Sequence, residues 1–293
     1  MHPDEVIVAQ DSSQTRRDPS RAARVRVTGS MRRRAARLSS GRRSFPRRRV
    51  FLLGHLRSYS SMLSHILGSH PRISGYCETH TKYRTYFDLW KLYYRVRKLT
   101  GEPLSGDYVL DKILHDYPIC RSILDSSRTR GIVLVRRPRE SVRSIIEMGL
   151  NHSPVDWHRD FERVARYYET RLAGLLRLTE ALRGRVVFLE SETLLSSPRH
   201  VLDQLSVFLE LDEPLKAEYR RFPHTGELGF GDPSEAIRIV PAQTARTVVS
   251  LPRPLTSRLQ NAYDFWCAAI RKSCPMIDPG AAELYAHDER SGR

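Results

Sequence analysis

Four short apolar runs punctuate the chain: Val50–Leu53, Tyr108–Leu110, Ile132–Val135 and Val186–Leu189. Each is continuous rather than alternating, as in strands covered on both faces. The intervening segments carry helical spacing. Met62, Leu63, Ile66 and Leu67 repeat on one face and are closed by Gly68 and Pro71, a stop signal for a helix. The aromatic and basic stretch Tyr83–Leu99 predicts a second helix. Pro138 suits a first helical turn, with Val142, Ile145 and Ile146 on one side. Asp156–Leu182 predicts a long amphipathic helix. Ser197-Pro198 opens another, with Val201, Leu202, Leu205 and Phe208 inward. Strands alternating with helices predict an α/β fold: three α/β/α layers around a central parallel sheet, in one domain over residues 49–275.

Composition narrows the class. At 293 residues and 40% hydrophobic content, the chain can bury a full core without disulfides or metals, and is neither collagen-like nor wholly disordered. No run nears the ~18 apolar residues of a membrane span, and no secretory leader is expected. Cys77, Cys120, Cys267 and Cys274 form no CxxC pair, which predicts reduced thiols and a cytoplasmic location. Of the 49 basic residues only six are Lys, a bias common in GC-rich bacteria.

Charge is uneven. Residues 1–49 hold fourteen Arg against four acids, a net +10 of the chain's +16. Residues 1–48, Arg- and Ser-rich without periodicity, read as a disordered basic arm. Such an arm suits nucleic acid or an anionic surface; an upstream extension ahead of Met31 or a transit peptide are the competing readings. Residues 276–293 read as a flexible tail.

In open α/β sheets ligands bind beyond the carboxyl ends of the strands, so residues following each strand carry the chemistry. After the first comes Gly54-His55-Leu56-Arg57-Ser58-Tyr59-Ser60-Ser61 and then a helix. Small hydroxyl residues at a helix N-terminus make an anion cradle from converging N–H groups, with Met62 the next amide in line; the plainer reading is an ordinary strand-to-helix turn. The ATP-type loop GxxxxGK[ST] is broken here: Tyr59 stands at the second Gly and Ser60 at the Lys. After the third strand, where a nucleoside triphosphatase would place a metal-holding Asp, stands Arg136-Arg137-Pro138-Arg139, with Ser144 eight residues past Arg136. Cations there predict a second anion and no metal: Ser144 can hydrogen-bond a phosphate that Arg136 neutralises. A solvated Arg cluster is the alternative.

With these two motifs the sequence resembles the sulfotransferases that use 3′-phosphoadenosine 5′-phosphosulfate (PAPS). Their 5′-phosphosulfate loop is a strand, a basic residue, Ser-Gly-Ser/Thr-Ser/Thr and a helix, matched by Arg57–Ser61 with Tyr59 at the Gly. Their 3′-phosphate motif, Arg-Asp-Pro-Arg and a Ser eight residues on, is matched by Arg136–Arg139 and Ser144, with Arg137 at the Asp. Phe188-Leu189-Glu190 and Ser197-Pro198 resemble a third landmark, and the likeness spans residues 49 to about 240. It implies a P-loop-like sulfotransferase fold, PAPS as donor and adenosine 3′,5′-bisphosphate as product. Cofactor contacts would fall to Arg57, Ser58, Tyr59, Ser60, Ser61, Met62, Arg136 and Ser144. A left-handed backbone at Tyr59 would be strained where Gly is not.

The resemblance also implies a general base for the acceptor's proton. Glu78, just after the first helix, is the leading candidate; His115, in Asp111-Lys112-Ile113-Leu114-His115, is the second and His80 the third. Lys112 would orient the sulfuryl oxygens. The glycine-dense His224–Pro233, with Gly229, reads as a lid over the nucleotide or as a surface turn. Tyr83, Tyr86, Phe87, Trp90, Tyr93 and Tyr94 read as core or as a wall of the acceptor site. The acceptor is a hydroxyl or amine of unstated identity on a small molecule, glycan or lipid. The alternatives are a P-loop kinase or nucleotide hydrolase, and a binding protein acting through its basic arm.

Overall fold

The computed structural model describes residues 6–7, 48–151, 153–227 and 249–277. Most of the predicted arm and of the predicted tail, with whatever nucleic acid or anionic surface the arm contacts, lies outside these residues. So does Gly229. Within the arm, β1 (Val6–Ile7) pairs antiparallel with β7 (Tyr219–Arg220), apart from the main sheet.

The main sheet has five parallel strands in the order β3-β4-β2-β5-β6: β2 (Arg48–Gly54), β3 (Ile73–Ser74), β4 (Tyr108–Ile113), β5 (Thr129–Val135) and β6 (Val186–Glu190). The pleat sends alternate side chains to opposite faces. Phe51, Leu53, Val109, Ile113, Val133, Val135 and Phe188 enter one core, and Val50, Leu52, Leu110, Ile132, Leu134 and Leu189 the other. The first is covered by α2 (Asp88–Thr100), α4 (Pro138–Asn151), α5 (Phe161–Ala181) and α8 (Arg253–Ser273). The second is covered by α1 (Ser60–Ser69) and α7 (Pro198–Phe208). Short helices α3 (Arg121–Leu124) and α6 (Ser191–Ser196) complete the described set. The three-layer α/β/α architecture is the one the apolar pattern predicts.

Several boundaries differ from that pattern. The helix expected over Asp156–Leu182 is split. Residues Asp156–Arg159 form a separate 3₁₀ turn, and the Asp160 carboxylate caps α5 by accepting from the N–H groups of Glu162 and Arg163. The helix expected from Tyr83 begins only at Asp88, because Tyr83 is held as extended chain: its N–H donates to Pro118 O and its carbonyl accepts from Cys120. Of the aromatic run, Tyr83 is buried and Tyr93 half-buried, whereas Tyr86, Phe87, Trp90 and Tyr94 are exposed. No helix among the described residues is long and apolar enough to cross a membrane, and all four cysteines are unbridged.

The chain runs from β2 outward to β3 and β4, then returns to the other side of β2 as β5. That reversal opens a crevice at the carboxyl ends of β2, β4 and β5. Arg171 of α5 fastens two of those ends. Fully buried, it donates from Nε to Gly54 O, from Nη2 to Ile113 O and from Nη1 to Asp116 Oδ1, each at 2.7 Å.

Removing this guanidinium strands two buried carbonyls. Arg171→Met is expected to cost about 3 kcal/mol of unfolding free energy, read by urea denaturation; a loss under about 1 kcal/mol would show that the strand ends do not depend on it.

Candidate functional site

The loop between β2 and α1 has an alternating backbone. Arg57 and Tyr59 have φ of 62° and 61°, while Ser58 and Ser60 are absent from the left-handed region. Such alternation turns successive N–H groups toward one side, a concavity suited to an anion, at the N-terminus of a ten-residue helix whose Tyr59 cap offers no side-chain hydrogen bond. Left-handed backbone costs a residue with a Cβ roughly 1–2 kcal/mol, and Tyr59 carries the strain anticipated for it.

Neighbouring groups hold the strained loop. Ser58 Oγ donates to His55 O at 2.7 Å, and Ser191 Oγ donates to Ser58 O at 2.8 Å. Leu56 N–H donates to the Tyr167 hydroxyl, which donates onward to Leu114 O. The Arg136 guanidinium lies 4.5 Å from the Tyr59 ring centroid, and its Nη1 donates to Arg57 O at 3.1 Å. Burial lowers the pKa of Arg136. His55 ties the two loops together: Arg136 N–H donates to Nε2 at 3.0 Å, and Nδ1 donates to Leu56 O at 2.9 Å. Those partners fix the neutral tautomer, and burial holds the imidazole pKa down at about 4.

The two predicted anion loops thus meet. Arg57 Nε donates to Ser144 Oγ at 2.9 Å, so Ser144, expected to meet a phosphate beside Arg136, also reaches the first loop. Arg137, the residue departing from the resemblance, has its N–H bound by Glu192 Oε1 at 3.1 Å. The side chains of Ser58 and Met62 are buried, Met62 within the apolar core, so both face the cradle only through backbone N–H. Ser60 is also buried, and Ser61 is half-exposed.

Lys112 extends the array. Its Nζ donates to Ser61 Oγ at 3.1 Å and lies 3.9 Å from Glu78 Oε1. Glu78 sits on a firmly held loop: the buried Asp111 carboxylate accepts from Thr79 N–H, Thr79 Oγ1 and Tyr83 OH, and Arg95 Nη1 donates to Thr79 O. Burial raises the Asp111 pKa to about 6. His80 Nδ1 is 3.9 Å from Glu78 Oε2. His115 lines a cleft beside this group, against the Tyr117 and Tyr167 rings, each 5.8 Å away between centroids, with burial lowering its pKa and Glu78 acting the other way.

Arg57, Ser61, Lys112, Glu78, Arg136 and Ser144 therefore share one site. The supports His55, Asp111, Tyr167, Arg171 and Glu192 were not singled out from sequence. The signal for Arg171 was present: a charged residue in the inward register of Val164, Tyr168, Leu172 and Leu175. The donor set fits a ligand with two phosphate-like groups, since three cations and a helix N-terminus converge on one crevice.

Two expectations follow. If Tyr59 is strained, Tyr59→Gly is more stable than Tyr59→Ala by about 1 kcal/mol in thermal or urea melts; both lose the ring but only Gly relieves the backbone. The reverse order would show a relaxed loop. Second, an unfolded histidine near 6.5 takes up a proton that folded His55 refuses until about pH 4. Stability from this group is complete above 6.5 and is lost as pH falls toward 4, by roughly 3 kcal/mol. Asp111 acts oppositely below about 6, so the difference between parent and His55→Gln isolates the effect: the parent's stability falls more steeply from pH 7 to 4. Parallel profiles would contradict it.

No family model matches this sequence, and no curated protein does. Among solved structures the fold is similar to the sulfotransferase domain from the curacin biosynthetic pathway, at 14% identity and a TM-score of 0.41, covering 75% of this chain and 99% of that one. The likeness is too remote to carry residue roles across.

Proposed function

We propose that the chain is a sulfotransferase that uses PAPS as donor and releases adenosine 3′,5′-bisphosphate. The observation that carries this reading is the joining of two cationic loops at the carboxyl ends of adjacent parallel strands through Arg57–Ser144 and Arg136–Arg57, beside a carboxylate. The donor, when bound, supplies a sulfuryl group attached to a phosphate oxygen.

In this reading Arg57 and the N–H groups of residues 58–62 hold the 5′ end and stabilise charge on the departing phosphate, while Arg136 and Ser144 hold the 3′-phosphate. Preorganised donors of this kind are typically worth ~10²–10³ in kcat each. Lys112, fixed between Ser61 and Glu78, orients the sulfuryl oxygens. Glu78 takes the proton from the acceptor hydroxyl or amine as its oxygen or nitrogen bonds to sulfur. His115, in the adjoining cleft, is better placed to meet the acceptor than to accept that proton. A kinase or hydrolase reading finds Ser60 where a phosphate-gripping Lys belongs.

Calorimetric titration tests the donor: adenosine 3′,5′-bisphosphate is expected to bind and raise Tm, and ATP with Mg²⁺ to do neither. Selective stabilisation by ATP would overturn the proposal. With PAPS and a phenol acceptor, Arg57→Ala is expected to lose ~10²–10³ in kcat while still binding nucleotide. Glu78→Gln should lose ~10²–10⁴, and His115→Gln should act mainly on KM. Normal turnover in Glu78→Gln would remove it as the base.

A further inference from the structure

Beside the donor site lies a cleft of about 370 Å³ lined by His115, Asp116, Trp157, Arg163, Arg166, Tyr167 and Thr170, a volume suited to a small organic ligand. It shares walls with the candidate site on two sides. Tyr167, whose ring lines the cleft, accepts from Leu56 N–H just before Arg57. On the other side His115 lies tilted against Tyr117, whose hydroxyl is 3.4 Å from His80 Nδ1, and His80 in turn sits beside Glu78.

Its lining combines rings and charge. Trp157 and Tyr167 lie 5.2 Å apart between centroids, tilted by 46°. Arg163 and Arg166, exposed on the same face of α5 as Tyr167 and Thr170, point charge into it. The nearby acids are each paired or capping, Asp116 on the cleft wall itself. Glu162 and Glu169 pair with Arg258 of α8, Asp160 caps α5, and Asp116 is held by Arg171. Among the described residues neither Arg163 nor Arg166 has a side-chain ion pair.

We infer that this cleft is the acceptor site and that it selects a ring-bearing anion, a hydroxylated ring compound carrying a carboxylate or similar group. This rests on the sulfotransfer reading. The ring would lie against Trp157 and Tyr167, the anionic group would be bound by Arg163 and Arg166, and the hydroxyl would point toward Glu78. In the reaction the acceptor O–S bond forms, the bond from sulfur to the phosphate oxygen breaks, and the hydroxyl proton passes to the Glu78 carboxylate. Net charge is conserved: sulfated acceptor, adenosine 3′,5′-bisphosphate and one proton.

Three phenols of similar size separate charge from shape: 4-hydroxyphenylacetate (anionic), 4-ethylphenol (neutral) and tyramine (cationic). Their affinities for the full chain, with and without saturating adenosine 3′,5′-bisphosphate, are measurable by calorimetry or ligand-observed NMR. The anion is expected to bind at least about tenfold tighter than the neutral phenol, and tyramine most weakly. In Arg163→Ala/Arg166→Ala that preference disappears while the neutral phenol's affinity and Tm stay unchanged. In Arg163→Glu/Arg166→Glu it inverts toward tyramine. Equal affinities in the parent, or a preference intact in the double variants, would overturn the inference. If nucleotide binds and anion selectivity is absent, the acceptor assignment fails while sulfotransfer stands. If selectivity holds and nucleotide does not bind, the anion site stands and the donor reading fails.

Discussion

Two arginine-bearing loops joined at the ends of neighbouring strands are the constraint on which the rest of this molecule turns. Arg136 is partly desolvated; the charge of Arg57 opposes its own, while Glu192 acts in its favour and more strongly. Like charges brought together away from water are unfavourable unless something negative joins them. The fold nonetheless enforces the pairing, through the register that puts β5 beside β2 and through the neutral His55 between their loops. In the proposed function an anion bound there would add to the negative charge that Glu192 already sets beside Arg136.

The backbone is part of this arrangement. Left-handed conformations at Arg57 and Tyr59 are the kind of local strain that concentrates at ligand sites, and here they aim successive amides at one point. The Tyr59 ring is not an idle departure from glycine: lying under Arg136, it returns a cation–π contact worth roughly 0.5–2 kcal/mol against the strain. Around it, Ser191 and Arg136 donate hydrogen bonds to the loop and Tyr167 accepts one from it, tying it to three separate segments. The loop residues thereby inherit the rigidity of the sheet.

Much of the architecture was legible in the sequence for a simple reason. Strands buried on both faces leave continuous apolar runs, and residues just after them are at the ligand edge, so Arg57 and Arg136 could be chosen from one dimension; Lys112, which lies within β4, was reached only through the resemblance. Other elements left weaker traces. Ile73–Ser74 is too short for a period, and α8 carries its inward Leu255, Leu259, Tyr263, Cys267 and Ile270 among many polar residues. Asp160 interrupts a helical pattern by capping within it, which periodicity does not register. The supports of the site were hidden for another reason: Arg171 meets Gly54, and Ser191 meets Ser58, across more than a hundred residues. The Arg57–Ser144 hydrogen bond likewise joins residues 87 apart in the chain.

The most direct measurement of the coupling between the two loops is a double-mutant cycle on nucleotide affinity. Adenosine 3′,5′-bisphosphate would be titrated into the parent, Arg57→Ala, Arg136→Ala and the double variant. If the two arginines form one anion-binding unit, their effects are non-additive by about 1 kcal/mol or more. Strict additivity, or affinity indifferent to both substitutions, would contradict it.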